Sequence, residues 1–131
     1  MIVLDTHAWV WFVSKPEMLS HAAISAIDAA RAKNAVYISS ISAWEVALLV
    51  QRNRVKFTMH VRDWIQKSEQ LPFLKFIPVI NALAVQSVFL PKPLHDDPAD
   101  RIIIATALSL GASLVTRDEK IRSWPHVQTI W

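Results

Sequence analysis

The hydrophobic positions along the chain form two alternating patterns, short apolar runs and longer segments with helical spacing. The run Ile2-Val3-Leu4 is typical of a buried strand. Ile41, Trp44 and Leu48 recur at the spacing of one helix face. Strands are predicted at residues 2–4, 35–39, 76–79, 112–116 and 127–130. Helices are predicted at residues 6–13, 17–33, 40–51, 61–69, 81–89, 98–110 and 119–123.

This alternation of strands and helices predicts an α/β fold with a parallel sheet covered by helices on both faces. Pro78 places the third strand at a sheet edge or makes it end there, because proline cannot donate a ladder hydrogen bond. Gly111, the only glycine, is expected to end the longest late helix. With 131 residues and no linker, the chain is expected to form a single domain over residues 1–131.

The composition excludes several classes of protein. The chain has no cysteine, which excludes thiol catalysis and a thiolate zinc site and fits a cytoplasmic protein. The N-terminus does not resemble a signal peptide, and no uninterrupted apolar run is long enough for a membrane span, so no membrane partner is expected. Six tryptophans are too many to be fully buried in a chain of this length, so some of them are expected to line a groove or an interface.

Four acidic residues fall near the predicted strand ends although they are far apart in sequence. Asp5 ends the first strand, and Glu45 lies in the first turns of the helix after the second strand. Asp100 opens the helix that leads to the fourth strand, and Asp118 follows that strand. Because the carboxyl ends of parallel strands share one edge of a sheet, we expect the four side chains to gather there.

Each of these acids also has a simpler structural role as a helix cap. Asp5 and Asp118 each stand where a side chain caps the following helix. Ser42 and Glu45 have the spacing of a capping box. Asp97 precedes a proline at the first helical position, and we interpret it as a cap only.

Three or four neighbouring carboxylates repel one another, and a divalent cation removes that conflict. Mg²⁺ and Mn²⁺ prefer carboxylate and water oxygens as ligands. Such an ion lowers the pKa of a bound water and screens the charge of a phosphate under attack. A zinc site that includes His7 and His95 is the alternative, although each is more simply a loop histidine with a hydrogen-bond partner.

The charge balance favours a polyanionic partner. The formal net charge is +3, and without the four acids 14 basic residues face 7 acidic ones, which gives +7. An acidic metal site in a basic surround suits a nuclease. Alternatively, the basic residues form solvated faces. They cluster in two stretches, one with Arg52, Arg54 and Lys56 and one with Arg117, Lys120 and Arg122.

Four segments in order resemble the PIN domain, and more narrowly the VapC-type toxin ribonucleases of bacterial type II toxin–antitoxin pairs. They are "MIVLDTHAWVW", "ISSISAWEVALLV", "HDDPADRIIIATAL" and "SLVTRDEKI", and together they span nearly the whole chain. The resemblance implies a three-layer α/β/α sandwich with a mostly parallel central sheet. It also implies a Mg²⁺- or Mn²⁺-dependent endoribonuclease that hydrolyses RNA phosphodiester bonds with a metal-activated water.

By matching position, the resemblance makes Asp5, Glu45, Asp100 and Asp118 the catalytic and metal-binding acids. In "DPADR" the third acid is Asp100, which stands directly before the apolar helix. Thr6 and Thr116 match hydroxyl residues beside the first and fourth acids, and either could orient a ligand or a water. Two arginines are candidates for steadying the phosphate, namely Arg101, which could instead pair with Asp97, and Arg117.

The partners implied are an RNA substrate, a cognate antitoxin protein and a second copy of the chain in a homodimer. Exposed apolar residues around Trp9, Trp11 and residues 44–50 would suit either protein contact. Residues 52–74 match no motif and are where specificity is expected. The alternative function is a non-catalytic RNA- or protein-binding module that keeps the fold. A haloacid-type phosphatase is disfavoured because the stretch Asp5-Thr6-His7 lacks a second aspartate.

Overall fold

The computed structural model describes residues 1–131, and it contains five strands and seven α-helices. The strands are β1 (Ile2–Leu4), β2 (Val36–Ser39), β3 (Leu74–Ile77), β4 (Ser113–Val115) and β5 (Thr129–Ile130). The helices are α1 (Thr6–Ser14), α2 (His21–Ala32), α3 (Ile41–Gln51), α4 (Val61–Glu69), α5 (Asn81–Val88), α6 (Pro98–Leu110) and α7 (Glu119–Arg122).

The strands form one sheet in the order β3-β2-β1-β4-β5, and every neighbouring pair is parallel. The short strand β1 is central, with Ile2 opposite Val36 of β2 on one side and Ser113 of β4 on the other. All five strands therefore end at the same side of the sheet, which we call the carboxyl edge.

Alternation along β1 explains the three layers. Ile2 and Leu4 pack into one apolar core, which includes Trp9 of α1 and Ile27 of α2. Val3 points to the opposite face and packs into a second core formed largely by α6, α7 and β4. Successive strand side chains point to opposite faces, so a continuous apolar run feeds both cores. The predicted α/β/α sandwich is confirmed. No helix is both long and apolar enough to cross a bilayer.

Several predicted bounds differ from the structure by a few residues, and two of the differences have a clear local cause. The helix predicted at residues 17–33 is broken: Pro16–Met18 form a 3₁₀ turn, and α2 starts only at His21. Ser20 causes the restart, because its hydroxyl accepts a hydrogen bond from the Ala23 N–H at 3.1 Å. The strand predicted at residues 76–79 lies two residues earlier, at Leu74–Ile77, so that Pro78 follows it. The predicted edge position is confirmed.

The tryptophans divide as the composition predicts. Trp9, Trp64 and Trp124 are buried, whereas 58% of Trp44 is exposed. The half-buried pair is Trp11 and Trp131. The expected exposure at Trp9 is wrong, because its ring packs against Trp64 at 4.8 Å between ring centroids.

Candidate active site

The four predicted acids converge at the carboxyl edge, as the parallel topology requires. Asp5 directly follows β1, Glu45 lies on α3 after β2, Asp100 is in the first turn of α6, and Asp118 caps α7 after β4. They line one open pocket of about 480 Å³. The eight lining residues are Asp5, Thr6, His7, Trp11, Glu45, Asp100, Arg117 and Asp118.

Asp5 is the most buried acid, with 8% of its surface exposed. Its Oδ1 accepts a hydrogen bond from the Ala8 N–H at 2.9 Å, so the predicted cap of α1 is also real. Burial raises the pKa of Asp5 to about 6, and the negative charges of Glu45 and Asp118 add to the rise. Hydrogen bonds from Thr116 and Ala8 oppose it. A single side chain therefore both caps a helix and faces the pocket.

Glu45 is held by a hydroxyl network rather than by a capping box. Thr6 Oγ1 lies 2.9 Å from Ser42 Oγ and also hydrogen bonds to Glu45 Oε1. A hydroxyl has one proton and a carboxylate only accepts, so Thr6 donates to Glu45 and accepts from Ser42. The capping-box interpretation is wrong because α3 begins at Ile41, which places Ser42 inside the helix, where it is buried.

Asp100 has a partner that the predicted acid set does not contain. His95 Nε2 lies 2.7 Å from Asp100 Oδ2. Burial raises the pKa of Asp100 to about 6, the hydrogen bond with His95 opposes this rise, and the charges of Asp97 and Glu45 add to it. Asp97 Oδ1 accepts from the Asp100 N–H at 2.9 Å, which confirms Asp97 as the cap of α6.

Asp118 and Thr116 connect the fourth acid to the first. Asp118 Oδ1 accepts from the Lys120 N–H at 2.8 Å and caps α7, as predicted. Thr116 is fully buried, and its hydroxyl oxygen accepts from the Asp118 N–H at 3.1 Å. The same hydroxyl lowers the pKa of Asp5 by hydrogen bonding. Thr116 therefore holds the end of β4 in place between two acids.

The two arginines have different roles. Arg101 does not pair with Asp97: its guanidinium donates to the carbonyl oxygens of His95 at 2.8 Å, Leu94 at 2.9 Å and Ser87 at 3.2 Å. Its Nη2 also lies 3.8 Å from Asp96 Oδ1, but its hydrogen bonds all go to backbone, so Arg101 is a structural clamp. Arg117 is exposed, lines the pocket and lies over the Trp11 ring at 5.9 Å, so its guanidinium remains available to an anion.

Three of the four predicted acids belong to side-chain groups close enough to hold a divalent cation, whereas Asp5 lines the same pocket but belongs to neither group. Two overlapping groups each have ligand atoms within 4.8 Å of one another, His95 with Asp100 and Asp118, and Glu45 with Asp97 and Asp100. Burial, with a smaller contribution from the neighbouring carboxylates, raises the pKa of Asp5 and Asp100, and a bound cation would favour the charged form of both. Most of the ligand atoms in these two groups are carboxylate oxygens, which Mg²⁺ and Mn²⁺ prefer, and the one nitrogen ligand is the His95 imidazole.

Two members of these groups lie outside the four predicted acids: His95, which was considered only for the alternative zinc site, and Asp97, which was interpreted as a cap only. His95 was an ordinary loop histidine in the simplest interpretation, and its hydrogen-bond partner is indeed present. A signal was nevertheless visible, since His95 stands five residues before Asp100 in the same acidic segment. The other histidine, His7, lies at the pocket wall and packs its ring against Trp11 at 5.5 Å.

The sequence matches the PIN domain family model over residues 2–126, and the chain belongs to the PIN domain family. Within the family it is 33% identical over 132 residues to Ribonuclease VapC22 of Mycobacterium tuberculosis, a match that covers 99% of this chain and 98% of that protein.

Solved structures share the fold at lower identity. VapBC2 from Rickettsia felis, solved bound to a DNA fragment from its promoter, matches with a TM-score of 0.70 and 21% identity over 98% of this chain and 97% of that chain. FitAcB from Neisseria gonorrhoeae matches with a TM-score of 0.67 and 22% identity, over 98% and 96% of the two chains. These likenesses show that the sheet order and helix layers belong to a known architecture.

Proposed function

We propose that this protein is a Mg²⁺- or Mn²⁺-dependent endoribonuclease that acts as the toxin of a toxin–antitoxin pair. The observation that carries the proposal is the convergence of Asp5, Glu45, Asp100 and Asp118 in one pocket from four separate segments. The 33% identity to a ribonuclease of the VapC group over nearly the whole chain supports RNA as the substrate. The basic surround of the acidic pocket suits a polyanion.

Each acid has a part that its surroundings support. Asp5, Asp100 and Asp118 would hold the cation, and Glu45 would either join them or orient the attacking water. When bound, Mg²⁺ or Mn²⁺ supplies an activated water and positive charge for the phosphate. Thr6 fixes the Glu45 carboxylate by donating a hydrogen bond to it.

Two other side chains prepare the pocket for a phosphodiester. Arg117 is exposed at the pocket wall and binds a nonbridging phosphate oxygen. Thr116 is buried and keeps Asp5 and Asp118 at the end of their strands. The protein thereby orders the carboxylates before the substrate arrives.

The protein partners are a cognate antitoxin and a second copy of the chain. An exposed apolar strip that begins just before α5 and runs to its end supports such contacts: Ile80 is 54% exposed, Val85 59%, Val88 67% and Phe89 80%. Similar folds are described in complexes, such as the toxin–antitoxin complex from Klebsiella pneumoniae, with a TM-score of 0.63 and 21% identity over 95% of this chain and 93% of that chain.

The deciding experiment incubates the protein with total RNA and Mn²⁺ and maps new 5′ ends by sequencing. Asp5→Asn and Asp100→Asn should abolish cleavage and still fold, because asparagine keeps the size and the acceptor oxygen of each side chain. Asp28→Asn on the exposed face of α2 is the matched control and should cut like the wild type. Binding of RNA without cleavage of any RNA would favour the non-catalytic module instead.

A further inference from the structure

A second cleft of about 360 Å³ opens beside the pocket that holds the four acids, which we call the metal pocket. This cleft shares His7 and Trp11 with the metal pocket. Its cations are Lys15, from the end of α1, and Arg54 and Lys56, from the segment between α3 and α4. We call this the basic cleft. Its volume is in the range of pockets that bind small ligands.

The basic cleft has the opposite charge to the pocket beside it. No carboxylate lines it, and its three cations take part in none of the ion pairs of the structure. All three are exposed to solvent. Positive charge that no protein anion neutralises attracts an external anion, and its place beside the acidic pocket favours a chain of phosphates passing from one to the other.

An aromatic platform joins the two sites. The Trp11 ring lies between His7, at 5.5 Å between centroids, and Trp131, at 5.8 Å. The Arg117 guanidinium approaches the same ring at 5.9 Å. Trp11 is half-buried and His7 is exposed, so a ring surface remains accessible at the boundary of the two sites. Aromatic rings next to cations bind unstacked bases, which a single-stranded nucleic acid offers and a paired duplex does not.

The segment that carries two of the cations is held in place before any ligand binds. Asn53 has a positive φ of 58°, which turns the chain back after α3. The Arg54 N–H then donates to the Leu49 carbonyl at 2.9 Å. Further on, Phe57 stacks on Trp64 with centroids 4.4 Å apart and rings 11° from parallel. The cations therefore stand on an ordered support.

We propose that the basic cleft binds the single-stranded RNA that flanks the cleaved phosphodiester, with phosphates on Lys15, Arg54 and Lys56 and a base against Trp11. The inference rests on the proposed function and adds the substrate class and the path of the strand. The free cations and the platform shared with the metal pocket favour RNA over a protein ligand.

The first test measures binding of a fluorescein-labelled, mixed-sequence, single-stranded RNA decamer by anisotropy, in chelator so that no metal-dependent cleavage occurs. The double variant Arg54→Ala/Lys56→Ala should weaken binding at least tenfold at low salt. It should also lower the slope of log affinity against log salt by about 1.4, since each phosphate contact on a single strand contributes about 0.7. The control, Lys33→Ala/Lys75→Ala, removes the same charge from residues outside the basic cleft and should change affinity less than twofold.

The second test examines the platform. Trp11→Leu should weaken binding of the decamer at least about fivefold. It should leave binding of an abasic ribose-phosphate decamer unchanged, and Trp11→Phe should keep most of the affinity for the base-containing strand. Equal loss for both oligomers would overturn stacking on Trp11. The charge variants stand outside the core, so they test the cleft even if Trp11→Leu fails to fold.

The proposal is overturned if Arg54→Ala/Lys56→Ala binds RNA like the wild type, or if the control double variant loses affinity equally. It is also overturned if the cleft variant keeps RNA affinity and instead loses the antitoxin, because the cleft is then a protein-docking site. Cleavage with Mn²⁺ is measured in parallel. If the wild type cleaves RNA and Arg54→Ala/Lys56→Ala binds RNA with wild-type affinity, the RNA-binding role of the basic cleft is rejected and the nuclease function stands. If Arg54→Ala/Lys56→Ala loses RNA affinity but the wild type cleaves no RNA, the RNA-binding role stands and the nuclease function is rejected.

Discussion

His95 Nε2 lies 2.7 Å from Asp100 Oδ2, so the loop before α6 supplies a partner for the acid at the start of that helix. Arg101 holds this loop by donating to the carbonyl oxygens of Leu94 and His95, and it reaches back to Ser87 in α5. The geometry of one pocket acid therefore depends on contacts made outside the pocket.

Replacing His95 should weaken metal binding. In His95→Ala the Asp100 carboxylate loses its hydrogen-bond partner and its fixed orientation, and loss of such a partner typically lowers metal affinity about tenfold or more. Calorimetric titration with Mn²⁺ measures this directly. His21→Ala at the exposed start of α2 is the control. An unchanged Mn²⁺ affinity in His95→Ala would show that His95 does not orient Asp100.

Without metal, the protein should lose stability as the pH rises from about 4 to about 6. The folded-state pKa of Asp5 is about 6 and its unfolded reference is 3.8, so the folded state binds the proton more tightly in this range. The free energy of unfolding then falls with pH and levels off above about 6, by about 3 kcal/mol from Asp5 alone. Asp100 adds a change of the same sign.

Thermal melts in chelator between pH 4.5 and pH 7 measure this change. Asp5→Asn should flatten the pH dependence and raise Tm at pH 7, because the buried charge is gone and the cap of α1 is kept. Mn²⁺ added at pH 7 should raise the Tm of the wild type more than that of Asp5→Asn. Identical pH profiles for the two proteins would contradict the raised pKa of Asp5.

Thr6→Val should impair cleavage and cost about 1–2 kcal/mol of stability. Valine keeps the shape of threonine but leaves the buried Ser42 hydroxyl without its acceptor and Glu45 without its donor. Thr6→Ser keeps the hydroxyl and should retain most of the activity. Single-turnover cleavage and thermal melts of both variants separate the two effects. Full activity in Thr6→Val would show that Glu45 needs no such support.

Arg101→Gln should destabilise the protein by about 2 kcal/mol or more, because it leaves three backbone carbonyls without a charged donor. Arg101→Lys should recover little of this loss, since an ammonium group cannot span three acceptors in fork geometry. Chemical denaturation provides the measurement. Arg62→Gln, on the exposed face of α4, should be nearly neutral. Similar losses for Arg101→Gln and Arg62→Gln would refute the clamp.

The parts of the site that follow from strand topology were predictable from sequence. Asp5 ends a three-residue apolar run, and Asp118 follows another, so a parallel sheet brings them together whatever the loops do. The position of Glu45 at the carboxyl edge was predicted, but its hydrogen bond with Thr6 was not, because that contact depends on how closely α1 and α3 pack. Such packing distances are not encoded in a local pattern.

Loop geometry was the part that sequence could not give. His95 reaches Asp100 because Arg101 fixes the carbonyls of the loop, a long-range arrangement with no periodic signal. The break before α2 had one signal in the sequence, Ser20, whose side chain can hydrogen bond to the backbone and start a new helix instead of continuing the previous one. The shift of β3 to Leu74–Ile77 follows its pairing with β2, in which Leu74 lies opposite Val36.

Because β1 is central and pairs with β4, the site is complete only after residues late in the sequence have been synthesised. A nascent chain that has left the ribosome only as far as α6 carries Asp5, Glu45 and Asp100 but lacks β4, and with it Asp118 and Thr116. One side of β1 then has no neighbour, and the carboxylate cluster is unfinished. Under the proposed function, a chain without its last residues lacks one of the four carboxylates of the pocket and the threonine beside it.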